Sequence, residues 1–283
     1  MKLISVIIPT RNRNKYIIDL LDDLQNQVLP SNCKLEIIVV DQSDKPTVYN
    51  HCRYYHLSTT GPCQSRNYGV RKSKGEILIF LDDDARVESD FIKELVQPIL
   101  ESNYDASAGA NCDVEGNYPL GEEQFFKMKS FNFIQTITAN PNSPKSRPTI
   151  AIPGCCCAVT KKVFNEVGGF DESFDPTGAG EDRDFALNLF TSGYKMYYNH
   201  KARLFHIGAS SGGSRDVGSR SFNLQVNTHK IAKKYFSDVQ ADALKYLILR
   251  EYKSKIFKKI LKPKLSIYHY KKYLSMKKEL NQN

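Results

Sequence analysis

The sequence lacks the patterns that mark small zinc-stabilised domains, secreted proteins and membrane-spanning proteins. Its seven cysteines include the adjacent Cys155, Cys156 and Cys157 but show no paired zinc-site spacing, so we expect reduced thiols. Pro9 ends the first apolar stretch too early for a signal peptide or a membrane span. The expected location is therefore the cytoplasm.

Common nucleotide-binding signatures are also missing. The turn after the first apolar run has neither a G-x-G-x-x-G motif nor a lysine-bearing phosphate loop, which disfavours the dinucleotide-binding and P-loop classes. No internal repeat is present. The length of 283 residues and the hydrophobic share of 41% instead suit one large α/β domain, alone or with an appendage.

Positive charge is concentrated near the end of the chain. From Lys230 onward there are 15 Lys and Arg against 4 Asp and Glu, which gives +11 there and −2 for residues 1–229. We therefore expect no nucleic-acid partner for the main domain. The basic segment is instead a candidate for contact with an anionic surface.

Strand and helix patterns alternate in the first hundred residues. Apolar runs rich in β-branched residues at 3–8, 35–40 and 76–81 predict buried parallel strands, and helical spacing lies between them. This order predicts a doubly wound α/β sheet, which binds ligands at the carboxyl ends of its strands. Polar residues fall at these ends, namely at 9–12, at Asp41 and at 82–84.

The rest of the chain is less regular. Prolines and asparagines at 138–149 predict an exposed loop, and helices are expected at 161–168, at 182–190 and through most of 223–283. We expect a catalytic domain at 1–222, with a donor half (1–110) and an acceptor half (111–222), followed by a basic helical extension at 223–283. An i, i+4 stripe runs along that extension and comprises Leu244, Ile248, Tyr252, Ile256 and Ile260.

Three consecutive aspartates, Asp82, Asp83 and Asp84, follow the third apolar run. In extended chain Asp82 and Asp84 point to one side and Asp83 to the other. Two carboxylates on one face predict a Mg²⁺ or Mn²⁺ site, and a site with so few protein ligands implies a nucleotide or diphosphate that completes the shell. The alternative is that the aspartates cap a helix beginning near Glu88 or Ser89.

Six ordered segments carry a resemblance to a known family. They are VIIPTRNR, IIVVDQSD, GPCQSRNYG, ILIFLDDDARV, VGGFDESF and GEDRDFALNL. In this order and spacing they resemble the family 2 glycosyltransferases with a GT-A fold, over about residues 3–210. The resemblance implies an inverting enzyme in which the aspartates hold Mn²⁺ or Mg²⁺ and the diphosphate of a nucleotide-sugar, with a UDP-sugar as the favoured donor.

The resemblance also implies donor-binding residues. It places the nucleotide near Pro9, Thr10, Arg11, Asp41 and Asp83, and it matches Arg66 to a donor-binding arginine. From the residues alone, Arg11 lies in a βα turn at the ligand edge, where a guanidinium can contact ribose or phosphate. Its alternative is an ordinary exposed arginine, and the alternative for Asp41 is a turn cap.

Glu181, Asp182 and Asp184 lie at the start of a predicted helix, after a flexible glycine turn. The positive end of the helix keeps a carboxylate ionised, as a general base requires. By similarity to the family, Asp182 is the expected base and Glu181 binds the acceptor or orients the site. Capping of the helix by all three carboxylates is the alternative.

Two features farther along are also candidates. By the same resemblance, His206 is a candidate contact to the metal or diphosphate, with a packed histidine as its alternative. The glycine- and serine-rich segment 208–216 suggests a loop that orders over bound donor, with Arg215 meeting phosphate.

The function hypotheses belong to different classes. The first is a glycosyltransferase that uses a saccharide or lipid-linked acceptor, with peripheral contact of 223–283 to an anionic membrane; the alternative for that segment is packing on the catalytic domain. The other hypotheses are a sugar nucleotidyltransferase and a non-catalytic nucleotide- or glycan-binding protein.

Overall fold

The computed structural model describes residues 1–118, 143–209, 211–257 and 263–282. The described residues up to Gly218 form one compact unit, and those from Ser219 onward form a second, helical unit. Each unit has its own apolar core.

The strands of the first unit form one mixed sheet. They are β1 (Lys2–Thr10), β2 (Cys33–Asp41), β3 (Arg53–His56), β4 (Ile77–Leu81), β5 (Ala85–Val87), β6 (Ala106–Cys112), β7 (Arg147–Thr149), β8 (Cys156–Thr160) and β9 (Met196–His206). The strand order is β3-β2-β1-β4-β8-β6-β9-β5, and β7 pairs with β9.

The described α-helices cover the sheet and form the extension. They are α1 (Asn14–Gln25), α2 (Pro62–Lys72), α3 (Phe91–Glu101), α4 (Lys161–Glu166), α5 (Glu181–Thr191), α6 (Arg220–Tyr235), α7 (Asp238–Phe257) and α8 (Pro263–Gln282).

The first half of the sheet is parallel, as predicted. β1 pairs in parallel with β2 and β4, and β2 pairs in parallel with β3. Their β-branched residues are buried against helices on the sheet faces, which explains the nearly continuous apolar runs. The carboxyl ends of these strands place Thr10, Asp41 and Leu81 at one edge, with the aspartate triplet next to Leu81.

The second half of the sheet mixes directions. β8 runs antiparallel to both β4 and β6, while β6 and β9 are parallel. The short strand β5 runs antiparallel to β9, with Ala85 opposite His206. This pairing brings the end of the aspartate triplet beside His206, more than a hundred residues farther along the chain.

Three local predictions need correction. Residues 143–149 are only partly an exposed loop. Residues 147–149 form β7 and join the sheet, and Ser143 is buried against the Tyr198 hydroxyl, whereas Pro144, Lys145 and Pro148 are exposed. Residues 138–142 lie outside the described residues. The helix expected from Glu88 begins at Phe91, since β5 occupies the chain before it. The sequence GPCQSRNYGVRKSKG before the third apolar run predicts a helix that ends at Gly75, but this helix, α2, ends at Lys72.

The predicted helices of the extension are confirmed, and their core is internal. Leu244, Ile248 and Tyr252 of the stripe are buried with Met276 and Leu280 of α8. The side chain of Ile256 and all of Ile260 lie outside the described residues. None of the described helices is long and apolar enough to pass through a bilayer.

Candidate active site

The aspartate triplet lies where β4 ends and divides its side chains between two directions. One carboxylate oxygen each from Asp82 and Asp84 and a ring nitrogen of His206 lie within 4.8 Å of one another. Asp83 points elsewhere and accepts a 2.7 Å hydrogen bond from the Thr10 hydroxyl. The chain therefore gathers two carboxylates and an imidazole on one side of the triplet.

Helix capping does not account for the triplet. The next helix, α3, begins at Phe91, its cap residue is Asp90, and the strand β5 separates Asp84 from it. That alternative is wrong because the chain continues as a strand after Asp84.

Asp84 is the most strongly stabilised anion of the group. Burial alone would raise its pKa, but His206 at 2.9 Å, Arg13 at 3.3 Å and the Ala209 N–H at 2.9 Å together lower the pKa to about 2. Burial raises the pKa of Asp83 to about 6 against the opposing effects of Arg13 and Thr10. Asp84 is therefore fully ionised at neutral pH, as a metal ligand must be.

The donor set fits a divalent cation. Carboxylate oxygens suit Mg²⁺ and Mn²⁺, and a neutral imidazole is a good ligand for transition metals. Asp82, Asp84 and His206 can therefore hold a metal ion, and they leave room in its shell for ligand oxygens.

Arg13 is a site residue that sequence reasoning missed. It is buried, and its Nη1 lies 2.9 Å from Asp83 and 3.3 Å from Asp84. Asn12 before it adopts a left-handed conformation (φ 56°), which turns the chain so that Arg13 faces the triplet. The sequence shows two arginines in this βα turn, and only Arg11 was expected to reach the ligand edge.

Arg13 and its neighbour Arg11 also hold residues 211–213. Arg13 donates to the backbone oxygens of Ser211 and Gly212 at 3.0 and 3.2 Å, and the Gly213 N–H donates to Arg11 O at 2.8 Å. Residues 211–213 therefore lie against the turn that carries Arg13. The side chain of Arg215 lies outside the described residues.

Arg66 connects the triplet to the second acidic group. From α2 its two Nη atoms reach Asp82 at 3.0 Å and Glu181 at 2.9 Å, and its guanidinium lies over the Phe170 ring. Burial lowers the pKa of Arg66, but the charges of Asp82 and Glu181 outweigh this effect and raise it. Arg66 is engaged by protein carboxylates, and its contact with donor stays a prediction.

The acidic start of α5 places its carboxylates in different environments. Glu181 is buried against Arg66, Asp184 is buried, and Asp182 is half-buried, with one oxygen accepting from the Arg183 N–H at 2.8 Å. The cap residue is Gly180 (φ 92°), which makes no side-chain cap bond. The structure thus leaves Asp182 as the more accessible member of the pair at 181 and 182.

The turn after β2 is tied down by Asp41. It is fully buried, and its oxygens accept from the Ser43 N–H, the Tyr54 hydroxyl and, at 3.5 Å, the Thr47 N–H. These contacts match the turn-cap alternative, and its contact with a nucleotide stays a prediction. Pro9 is half-buried beside it in the sheet.

Arg11 has unused donors. Its Nη2 lies 3.7 Å from the exposed Asp44, while its Nε and Nη1 are buried and have no hydrogen-bond partner among the described residues. A buried guanidinium with unsatisfied N–H groups is costly unless a ligand accepts from them.

The turn that precedes α5 is fixed to α2 by a contact of Asp175 that sequence reasoning also missed. Asp175 accepts hydrogen bonds from the N–H groups of Cys63 and Gln64, 3.1 and 3.0 Å away, and so caps the helix that carries Arg66. Gly61 packs directly against this carboxylate, and a Cβ there would lie 2.0 Å from Asp175 Cγ.

The family comparison decides the class of protein. The family model of glycosyl transferase family 2 matches residues 5–168, more than half of the chain. The chain belongs to glycosyl transferase family 2. The resemblance drawn from the six sequence segments is thereby confirmed.

Two relatives and one solved structure are similar to this glycosyltransferase over most of its length. An uncharacterized glycosyltransferase of Haemophilus influenzae is 27% identical over 84% of this chain and 79% of that protein. A GalNAc(5)-diNAcBac-PP-undecaprenol beta-1,3-glucosyltransferase of Campylobacter jejuni is 27% identical over 82% and 74%. The structure of S. aureus TarS 1-349 in complex with UDP-GlcNAc matches with a TM-score of 0.61 and 18% identity, over 98% of this chain and 81% of that one. This likeness shows the GT-A fold.

The docked segment of the glycosyltransferase offers a stability test. A Cβ on Gly212 (φ 75°) would lie 2.6 Å from Arg13 Cγ, whereas a Cβ on Gly208 (φ 69°) would meet nothing within 4 Å. Gly208→Ala is expected to lower the free energy of unfolding by about 1 kcal/mol through backbone strain alone. Gly212→Ala is expected to lower it by about 3 kcal/mol, since overpacking against Arg13 adds to that strain. Urea unfolding of both variants checks this, and equal losses would mean that the segment is not docked on Arg13.

Proposed function

We propose that this family 2 glycosyltransferase is an inverting, metal-dependent enzyme that transfers a sugar from a nucleotide-diphosphate sugar to a saccharide hydroxyl. The observation that carries the proposal is the continuous link from the cluster of Asp82, Asp84 and His206 through Arg66 to the carboxylates of α5. It joins a site for an anionic leaving group to a site for a base.

The reaction needs a base opposite the leaving diphosphate. Asp182 takes the proton of the acceptor hydroxyl as its oxygen bonds to the anomeric carbon, and the bond from that carbon to the diphosphate oxygen breaks. Attack from the side opposite the leaving group inverts the anomeric centre. Asp182 lies in the first turn of α5 next to Glu181, which fixes Arg66 beside Asp82. The bound cation supplies charge stabilisation for the departing diphosphate.

The nucleotide-sugar is proposed to bind at the carboxyl ends of β1 and β2. Arg11 supplies the buried N–H groups that have no acceptor among the described residues, and Pro9 and Thr10 line the same strand end. Asp41 shapes the turn after β2. A UDP-sugar is the favoured donor, and the TarS structure with bound UDP-GlcNAc supports this choice.

The ion is proposed to be Mn²⁺ or Mg²⁺, with Mn²⁺ preferred. Mg²⁺ is bound almost wholly by oxygen ligands, whereas His206 offers an imidazole nitrogen beside the two carboxylates.

The acceptor is proposed to be a glycan or a lipid-linked saccharide used in surface polysaccharide synthesis. The Campylobacter jejuni relative, which is named as a glucosyltransferase of an undecaprenol-linked saccharide, supports this choice of acceptor. We further propose that residues 1–222 act as the catalytic domain and that 223–283 contact the inner face of the cell membrane. The charge of +11 from Lys230 onward supports that contact.

Thermal unfolding against a panel of nucleoside diphosphates, each with and without Mn²⁺, tests the donor site. At a free ligand concentration near 100 Kd, binding stabilises the native state by about 2.7 kcal/mol. We expect a rise in Tm of about 5 °C for one nucleotide, UDP if the preference is right, and only with metal present. Nucleoside monophosphates serve as the matched control. A panel without any shift would contradict the donor site and favour a non-catalytic glycan-binding protein.

A further inference from the structure

The last described helix, α8, has two apolar faces. Met276 and Leu280 are buried in the core of the helical unit. Ile267, Tyr270 and Leu274 are 57%, 51% and 46% exposed. At 3.6 residues per turn the positions i, i+3 and i+7 share one face, and this face is opposite the one that carries Met276. The core of the unit therefore leaves a second apolar strip uncovered.

Lysines surround this strip. Lys271 and Lys278 fall on the same face as Ile267 and Leu274, Lys277 lies beside it, and all three are exposed. The only acidic residue of α8, Glu279, falls outside the face. We call the set of Ile267, Tyr270, Lys271, Leu274, Lys277 and Lys278 the outer face of α8.

We infer that the outer face of α8 is the surface that docks on an anionic lipid bilayer. This inference deepens the membrane contact in the proposed function by naming its residues. A helix that combines a short apolar strip, a tyrosine and flanking lysines lies in the interface of a bilayer with its lysine heads among anionic headgroups. The excess of +11 from Lys230 onward complements such a surface.

The stripe predicted from the sequence is not that surface. Leu244, Ile248 and Tyr252 are buried inside the helical unit, so they have no exposed area to place in a membrane. A bilayer-docking surface must be apolar, exposed and basic together, and the outer face of α8 has all three properties.

Flotation of the full chain with vesicles of phosphatidylcholine, alone or with 30% phosphatidylglycerol, tests the inference. We expect binding to the anionic vesicles only. Ile267→Glu with Leu274→Glu should weaken binding by at least about thirtyfold. Two apolar side chains that insert into the bilayer are then replaced by carboxylates, which have the same charge sign as the headgroups. Lys271→Gln with Lys278→Gln should weaken binding by roughly fivefold per charge. The matched control is Val239→Glu with Tyr246→Glu, at two exposed apolar positions of α7, and it should retain binding within about threefold.

Each outcome has a defined meaning. Binding that the α8 double variant leaves intact, or binding that falls equally in the control, would overturn the assignment. A wild-type dimer that the α8 variant converts to a monomer, with vesicle binding unchanged, would make the outer face a contact between two copies of the chain. The nucleotide-dependent rise in Tm of the same variants separates this test from the proposed function, because it reports the donor site alone.

Discussion

Replacing Asp84 with asparagine is expected to abolish Mn²⁺-dependent nucleotide binding and to lower transfer activity by roughly a thousandfold, or about 4 kcal/mol of transition-state stabilisation. Asparagine can keep one acceptor oxygen for the Ala209 N–H and places an amide NH₂ toward His206, but it removes the charge that the cation requires. A titration with Mn²⁺, monitored by electron paramagnetic resonance, measures cation binding with and without nucleoside diphosphate. A transfer assay measures the rate.

Asp83→Asn is the matched control for this prediction. It makes the same chemical change one residue away, but Asp83 faces Thr10 and Arg13 and is not a member of the cluster that can hold a metal. We expect its Mn²⁺ affinity to stay within about threefold of wild type, since its effect on the cation is through space and partly offset by Arg13. If the two variants lost Mn²⁺ affinity equally, Asp84 would have no special role as a ligand.

The structure explains how the triplet is tolerated before any cation binds. Arg66 pairs with Asp82, and Arg13 pairs with Asp83 and Asp84, so two buried arginines oppose three carboxylates. The paired charges offset much of the cost of holding the aspartates together in a mostly buried place.

The strands that the sequence predicts correctly are those with continuous apolar runs. β1, β2 and β4 were found because buried parallel strands are nearly continuous β-branched runs. β6 and β9 were missed, since small residues in one and alternating polar residues in the other give no such signal. Their place in the sheet depends on pairing between distant segments, which a local window cannot show.

The candidate site likewise contains residues that local sequence locates and contacts that it does not. The carboxylates of the triplet and of α5 could be located because acidic residues cluster at the ends of predicted elements. The partners that connect them, Arg13 to the segment at 211–212 and Arg66 to Glu181, are separated by more than a hundred residues. Such pairs depend on the tertiary fold, and the turn at Asn12 that points Arg13 inward has only a weak sequence signature.

Replacing Asp182 with asparagine is the second large effect. We expect kcat to fall by about 10²–10⁴, the usual contribution of a positioned general base, because an amide cannot accept the acceptor's proton. The nucleotide- and Mn²⁺-dependent rise in Tm should stay unchanged, since Asp182 is not in the group that can hold the metal. Steady-state kinetics with saturating donor and the thermal measurement together distinguish a base from a donor-binding residue.

Glu181→Gln provides the contrast for Asp182→Asn. It removes one of the two carboxylates that pair with the buried Arg66 and leaves Asp82 as the remaining partner, which we expect to cost up to about 3 kcal/mol of stability. We therefore expect a lower Tm from this variant, and weaker donor binding because Glu181 no longer holds Arg66 beside Asp82. A kcat for Asp182→Asn within threefold of wild type would move the base elsewhere on the acceptor side. A Glu181→Gln enzyme that lost only kcat, with stability intact, would make Glu181 the better candidate.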